Sequence, residues 1–117
     1  MVRLSLELIR KRSEHHDGLL ADLQEIALHQ FEIEKIENLN ICRKLRILLL
    51  QGNKIKKIEN LNKLKELRYL NLAINCITKI ENLEGLESLE KLDLSVNQIN
   101  NLLDVSKLKS NEFLVEL

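Results

Sequence analysis

Lys57-Ile58-Glu59-Asn60-Leu61 is written almost unchanged three times. Lys35-Ile36-Glu37-Asn38-Leu39 precedes it and Lys79-Ile80-Glu81-Asn82-Leu83 follows it, each 22 residues away. A fixed period of that size marks an array of stacked units, each too small to bury its apolar face alone. Outward from this motif the same step sorts the chain into columns. Leu23, Leu45, Leu67 and Leu89 form one, Ile26, Leu48, Leu70 and Leu92 a second, and Leu28, Leu50, Leu72 and Leu94 a third. Ile33, Ile55, Ile77 and Ile99 follow, then Ile36, Ile58, Ile80 and Leu102, then Leu39, Leu61, Leu83 and Val105. Asn53, Asn75 and Asn97 stand between the third and fourth columns.

This is the leucine-rich-repeat pattern, L-x-x-L-x-L-x-x-N-x-L, in a short 22-residue form. It predicts an α/β fold: a right-handed leucine-rich-repeat solenoid with short parallel strands on the concave face, short turns on the convex face and an N-terminal helical cap. In Leu45-Arg46-Ile47-Leu48-Leu49-Leu50, alternation sends Leu48 and Leu50 to one side of a strand and Ile47 and Leu49 to the other. Only about a dozen residues join one strand to the next, which leaves no room for a long helix. Asn53, Asn75 and Asn97 sit where the chain leaves the strand. Their amides can satisfy backbone groups and donate to the neighbouring unit, an asparagine ladder that carbon side chains cannot make. The aliphatic residues of one unit do not offset the entropy of ordering its backbone, so the units must fold together.

The period divides the chain into an N-terminal helical cap at 1–22 and repeats at 23–117, with units at 23–44, 45–66, 67–88 and 89–113 and the start of a fifth at 114–117. Ser5 is placed to cap a helix running through Glu14, with Leu6 and Ile9 on one face, Arg10, Lys11 and Arg12 towards solvent, and Gly18 as a stop signal. Phe31 takes the asparagine position in the first unit, which has no upstream neighbour to bond. Asn111 falls where Leu67 and Leu89 predict an apolar residue, and the pattern resumes three residues late at Leu114, which predicts a small insertion near 109–112. The chain then stops inside a fifth strand without a polar cap and reads as a fragment of a longer protein. Leu114 and Leu117 are expected to fray or to be covered by another molecule, so the uncapped end is a second place for association.

Composition narrows the function. Lys plus Arg equals Asp plus Glu at 18 each, so the basic excess of a nucleic-acid binder is missing. Aromatic content of 3% leaves few stacking platforms for RNA. No apolar run approaches the ~20 residues that span a membrane, and Glu7 interrupts the place of a signal peptide's apolar region. A cytoplasmic protein with no nucleic-acid or membrane partner is expected. Cys42 shares a column with Leu64 and Leu86, whereas Cys76 follows Asn75, so one thiol is expected buried, the other near the surface and both reduced. His15-His16-Asp17 offers three potential ligands, but neighbours in sequence diverge on a helix and no fourth ligand is clustered with them. A solvated helix end is expected there, and no metal. His29 is read as a surface polar residue. No catalytic constellation, phosphate-cradling glycine loop or cofactor motif is present, so no enzyme is expected.

The concave face is the expected binding surface, because the strands leave their alternate residues there. These are Glu25, Ala27 and His29, then Ile47, Leu49 and Gln51, then Tyr69, Asn71 and Ala73, then Lys91, Asp93 and Ser95. An apolar centre with a polar rim has the composition of a protein-binding patch. The candidate contact residues are Arg46, Ile47, Leu49, Arg68, Tyr69, Asn71, Lys91 and Asp93, with Arg46 and Arg68 as a basic edge one unit apart. The repeated Lys and Glu of the Ile-Glu-Asn-Leu motifs are expected to be solvated turn residues.

The stretches 8–15, Ala27-Leu28-His29-Gln30, Tyr69-Leu70-Asn71-Leu72-Ala73, Lys79-Ile80-Glu81-Asn82-Leu83-Glu84-Gly85 and Lys91-Leu92-Asp93-Leu94 resemble the tilB (seahorse) family of leucine-rich-repeat dynein axonemal assembly factors. The non-repeat segment followed by Ala27-Leu28-His29-Gln30 carries most of the discrimination. The Ile-Glu-Asn-Leu repeats are shared with a phosphatase regulatory subunit and dynein light chains. The resemblance implies a cytoplasmic factor that helps chaperone machinery pre-assemble dynein arms for motile cilia or flagella, with dynein chains, co-assembly factors or chaperones as partners. It also implies a further repeat, a cap, a coiled coil and a CS domain beyond the present residues. The alternative is a regulatory subunit of a protein phosphatase, or a spliceosomal scaffold, of the same repeat class.

Overall fold

The computed structural model describes residues 2–100 and 114–117. Helix α1 spans Leu6–Arg12, and a single 3-10 turn covers Leu20–Asp22. Five three-residue strands follow: β1 (Glu25–Ala27), β2 (Ile47–Leu49), β3 (Tyr69–Asn71), β4 (Lys91–Asp93) and β5 (Leu114–Glu116). They form one parallel sheet in sequential order. β1 to β4 start at a step of 22 residues and stay in register, Ile26 beside Leu48, Leu70 and Leu92. Period and pairing therefore coincide, and among the described residues the columns of the sequence become lines of stacked side chains. The resulting core is one cluster running from Leu4 to Leu94.

β5 departs from the expected register. Leu114 pairs with Lys91 and Val115 with Leu92. The apolar pattern alone aligns Leu114 with Leu89, three residues late. Pairing instead sets it only one residue beyond the 22-residue step, because the ladder must keep Val115 in line with the buried Leu92 column. The columns at Leu102 and Val105 and the segment around Asn111 lie outside the described residues. Leu117 is 55% exposed.

Between strands the chain turns by repeated i to i+3 bonds. The N–H groups of Cys42, Leu64 and Leu86 donate to Leu39, Leu61 and Leu83, and those of Leu45, Leu67 and Leu89 to Cys42, Leu64 and Leu86. Cys42 is fully buried in this turn and Cys76 is partly exposed, and both thiols are free.

Three-residue strands supply few ladder bonds, and buried amides add further bonds between units. Asn75 Nδ2 donates to the carbonyl oxygens of Leu50 and Leu72 at 3.0 Å each, and its Oδ1 accepts from Ile55 N–H at 3.0 Å. Asn53 bridges Leu28, Leu50 and the N–H groups of Phe31 and Ile33 in the same way, and Asn97 bridges Leu72, Leu94 and Ile77. Each amide reaches back to the preceding unit. Phe31, lacking such a neighbour, lies against the core with the Arg12 guanidinium 5.4 Å from its ring centroid.

A second amide series runs along the convex side. Asn38, Asn60 and Asn82 donate through Nδ2 to Leu4, Ile36 and Ile58 at 2.7–2.8 Å. All three have φ near +60°, in the left-handed region that asparagine tolerates better than most residues. The Lys-Ile-Glu-Asn-Leu motif thus carries a buried isoleucine and, two positions on, an asparagine that supplies both a left-handed bend and an inter-unit bond. The flanking charges pair only at the surface, Arg3 with Glu37 at 3.1 Å and Lys79 with Glu81 at 3.7 Å. Such exposed pairs contribute little.

The N-terminal residues join the same system. Leu4 accepts from Asn38 as Ile36 does from Asn60, and Val2 makes a parallel bridge to Ile33. Ser5 caps α1 by accepting from Leu8 N–H at 3.1 Å. Leu4 and Ile9, just before the cap and in the next turn, are both fully buried, the positions of a hydrophobic staple. Leu6 was expected beside Ile9, but it is 50% exposed because Leu4 takes the core position. The helix also ends at Arg12 rather than Glu14. The buried Ser13 hydroxyl donates to the Ile9 carbonyl oxygen at 2.8 Å and closes the last turn. Arg12 Nε donates to the carbonyl oxygen of Ala27 at 3.0 Å, satisfying an acceptor on the edge strand.

Two outcomes follow from this architecture. Asn60→Gly removes one amide bond, whereas Asn60→Ala also forces a β-carbon into the left-handed region. Asn60→Ala is therefore expected to unfold at lower urea than Asn60→Gly, by about 1 kcal/mol. Burial pushes the Cys42 thiol above its ordinary 9.0, against a smaller downward pull from Arg10. The folded chain holds this proton more tightly than the unfolded one. Its contribution is full below pH 9.0 and is lost as pH rises through the raised folded value. Stability should fall as pH rises above 9.0, and Cys42→Val should flatten the fall relative to the parent chain in urea titrations.

Candidate functional site

The strand alternation decides what the concave face displays. In β2, β3 and β4 the central Leu48, Leu70 and Leu92 are buried while the residues on either side are partly exposed. Register then assembles two rows across the sheet, Glu25-Ile47-Tyr69-Lys91 and Ala27-Leu49-Asn71-Asp93. Ile47, Leu49 and Tyr69 are neighbours on two adjacent strands and form an apolar centre. His29, Gln51, Ala73 and Ser95, expected on the strands, lie just beyond them, because each strand is only three residues long.

The polar candidates divide by whether their groups are already engaged. Asn71 Nδ2 donates to the Tyr69 hydroxyl at 3.1 Å, and its Oδ1 accepts from Ala73 N–H at 3.0 Å. Asp93, one unit on, accepts from Ser95 N–H at 2.9 Å. These side chains bond the backbone two residues ahead and turn the chain out of the strand. Lys91 Nζ lies 3.1 Å from Glu116 Oε1 and 5.3 Å from the Tyr69 ring centroid. The hydrogen bond and charge of Glu116 hold its ammonium above the ordinary 10.5. Arg46 and Arg68, immediately before β2 and β3, are exposed and form no ion pair among the described residues.

No grouping of three or more His, Cys, Asp or Glu suited to a metal occurs among the described residues. His16 Nε2 bonds the Leu19 carbonyl oxygen at 2.8 Å, and His15 lines a hollow with Lys11, Arg12, Glu14 and Glu25. His29 is more enclosed than a surface polar residue. Its Nδ1 is buried without a hydrogen-bond partner, as is Gln51 Oε1 one unit along. His29 and Gln51 stand two positions beyond the paired Ala27 and Leu49, in equivalent turns of successive units.

Sequence reasoning passed over Ile74 and Val96. They occupy the left-handed position that Gly52 takes one unit earlier, with φ of 55° each against 69° for the glycine. Both are β-branched and exposed, Ile74 by 55% and Val96 by 70%. A β-branched residue in that region is a genuine outlier, and exposure returns little of the cost. The signal available in the sequence was the column Gln30, Gly52, Ile74, Val96, a glycine aligned with branched residues. Ile74→Gly is expected to raise stability by about 1 kcal/mol, read as a higher urea midpoint.

With the fold and face described, comparison with known proteins places the chain. A family model for leucine rich repeats matches residues 43–99. The fold recurs in a leucine-rich-repeat protein of Leptospira interrogans, with a TM-score of 0.74 and 25% identity over 82% of this chain and 26% of that one. It recurs also in the SNF/U2A' complex of Drosophila melanogaster, with a TM-score of 0.78 and 27% identity over 98% of this chain and 68% of that one. The protein is a leucine-rich-repeat solenoid.

Within that class it is similar to Protein tilB of Drosophila melanogaster, 56% identical over 54 residues, which is 45% of this chain and 14% of the relative. Dynein axonemal assembly factor 11 of Danio rerio is 55% identical over 54 residues, 45% of this chain and 12% of the relative. The chain thus matches less than a sixth of the length of these curated relatives. Among the described residues no helix is long and apolar enough to cross a membrane.

Proposed function

We propose that the chain is the non-enzymatic, protein-binding module of a cytoplasmic factor required for pre-assembly of axonemal dynein arms in motile cilia or flagella. The observation that carries this reading is the 56% identity to tilB over 54 residues. The partly exposed apolar centre at Ile47, Leu49 and Tyr69 supports a protein partner, because such a centre with a polar rim is the composition of an interface core. Arg46, Arg68, Asn71, Lys91 and Asp93 would form the rim. Dynein chains, co-assembly factors or chaperones are the partner classes.

In this proposal residues 1–22 act as a cap and 23–117 as the recognition array. The burial of Leu4 and Ile9 and the Asn38–Leu4 and Arg12–Ala27 bonds support the cap, since they close the core and the edge strand beside the first unit. The repeat units span 23–44, 45–66, 67–88 and 89–113, with a fifth from 114; the β5 register would draw that last boundary a little earlier.

A second reading, a spliceosomal scaffold, is favoured by the 98% coverage of this chain in the match to the SNF/U2A' complex. The identity of 27% there, against 56% to tilB, favours the first.

Leu49→Asp and Tyr69→Ala are expected to abolish pull-down of dynein chains or co-assembly factors from ciliated cells while the circular dichroism stays unchanged. Undiminished capture by both variants removes the concave face from consideration. Stoichiometric co-purification with a small nuclear ribonucleoprotein and no dynein component would instead support the scaffold reading.

A further inference from the structure

Arg46 and Arg68 stand one position ahead of Ile47 and Tyr69, which are register partners. Arg68 N–H donates to the Arg46 carbonyl oxygen at 2.8 Å, so the two residues are direct neighbours across the ladder. Adjacent strands are about 4.8 Å apart, and like charges placed opposite one another are destabilising. Elsewhere the fold relieves such charges. Lys44 meets Asp22 at 3.2 Å, and Lys91 is held between Glu116 and the Tyr69 ring. The two arginines have no such relief: among the described residues neither makes an ion pair or a ring contact. Their row continues to Gln24 on one side and Glu90 on the other. Glu90 N–H donates to the Arg68 carbonyl oxygen at 2.8 Å, yet its carboxylate forms no ion pair with the guanidinium.

Two unmet guanidiniums therefore border the apolar centre formed by Ile47, Leu49 and Tyr69. Guanidinium forks match a carboxylate through paired N–H donors, and a desolvated pair of this kind is strong beside an apolar surface. We infer that Arg46 and Arg68 receive an aspartate or glutamate side chain from an acidic protein segment, whose adjoining aliphatic or aromatic side chain seats on Ile47, Leu49 and Tyr69. This rests on the proposal that the concave face takes a protein partner, and it specifies that partner's chemistry. Charge complementarity selects a carboxylate over a nucleic-acid backbone. A phosphate chain running across the face would meet Glu25, Asp93 and Glu116, whereas a single carboxylate seated between Arg46 and Arg68 has two guanidiniums against the one acid of their row, Glu90.

The test uses the 117-residue chain as bait for a random dodecapeptide display library, with affinities of enriched peptides measured by calorimetry at low and high salt. The expected binders carry Asp or Glu next to an aromatic or aliphatic residue and weaken as salt rises. The Arg46→Glu/Arg68→Glu double variant, with an unchanged urea midpoint, should bind them at least about tenfold more weakly. Exchanging the peptide's acid for lysine should restore binding to that double variant. Binders that are neutral or basic, or that bind the double variant as tightly, overturn the inference. If such binders still fail on Leu49→Asp, the concave-face reading survives without the acidic partner. If they are indifferent to Leu49→Asp and Tyr69→Ala as well, both readings fall, and enrichment of no peptide at all also counts against the inference.

Discussion

The stack depends on a buried amide that belongs to two units at once. Strands of three residues leave most of each unit's backbone outside the sheet ladder, and the convex turns leave further carbonyl groups inside the coil. Water cannot reach them, so each unmet group costs on the order of 1–3 kcal/mol. Asn75 is 7% exposed and meets carbonyls of two successive units while accepting an N–H of the earlier one. Asn53 and Asn97 repeat the arrangement. Aliphatic burial draws the units together without fixing their offset. The amides supply that offset, since a slip of one residue would strand both the donor and its carbonyls.

A second constraint acts on the opposite side of the coil. At Asn38, Asn60 and Asn82 the chain needs a left-handed bend and also a donor facing the preceding unit. Asparagine meets both needs, whereas glycine would meet only the first. The series also explains how the N-terminal segment is held. Leu4 offers its carbonyl oxygen where Ile36 and Ile58 do for later units, so a non-repeat sequence enters the coil through the repeat's own hydrogen-bond position. Ser5 then starts α1 at once, and the staple of Leu4 and Ile9 extends the common core beyond the first strand.

Because these inner bonds hold the coil, the concave positions are free of structural duty in unequal measure. Asn71 and Asp93 still turn the chain out of their strands. Lys91 is tied to Glu116. Among the described residues the side chains of Ile47, Leu49, Arg46 and Arg68 make no hydrogen bond or ion pair, and neither do the exposed branched side chains of Ile74 and Val96. A surface that keeps apolar groups and like charges where relaxation was available has the character of a site awaiting its complement.

The sequence by itself determined the period, the core columns, the parallel sheet and the face on which Ile47, Leu49 and Tyr69 appear. A strict 22-residue step leaves only one way to align the apolar residues. It also located Asn53, Asn75 and Asn97 at the strand exits. It did not disclose that the Asn60 column is a second set of bonds, because a polar residue in a charged turn looks solvated until its carbonyl partner is placed. Leu6 and Leu4 were indistinguishable as candidates for the core until the helix axis was set by Ser5 and Ser13. The offset of Leu114 was decided by pairing with Lys91, since the 22-residue pattern that runs through Ile99, Leu102 and Val105 misses at Asn111 and leaves the register beyond it open. The state of Lys91, Arg46 and Arg68 was likewise decided in three dimensions. Whether a charge is answered depends on what packs beside it: Glu116 reaches Lys91 from 25 residues away, while among the described residues no acid pairs with the two arginines.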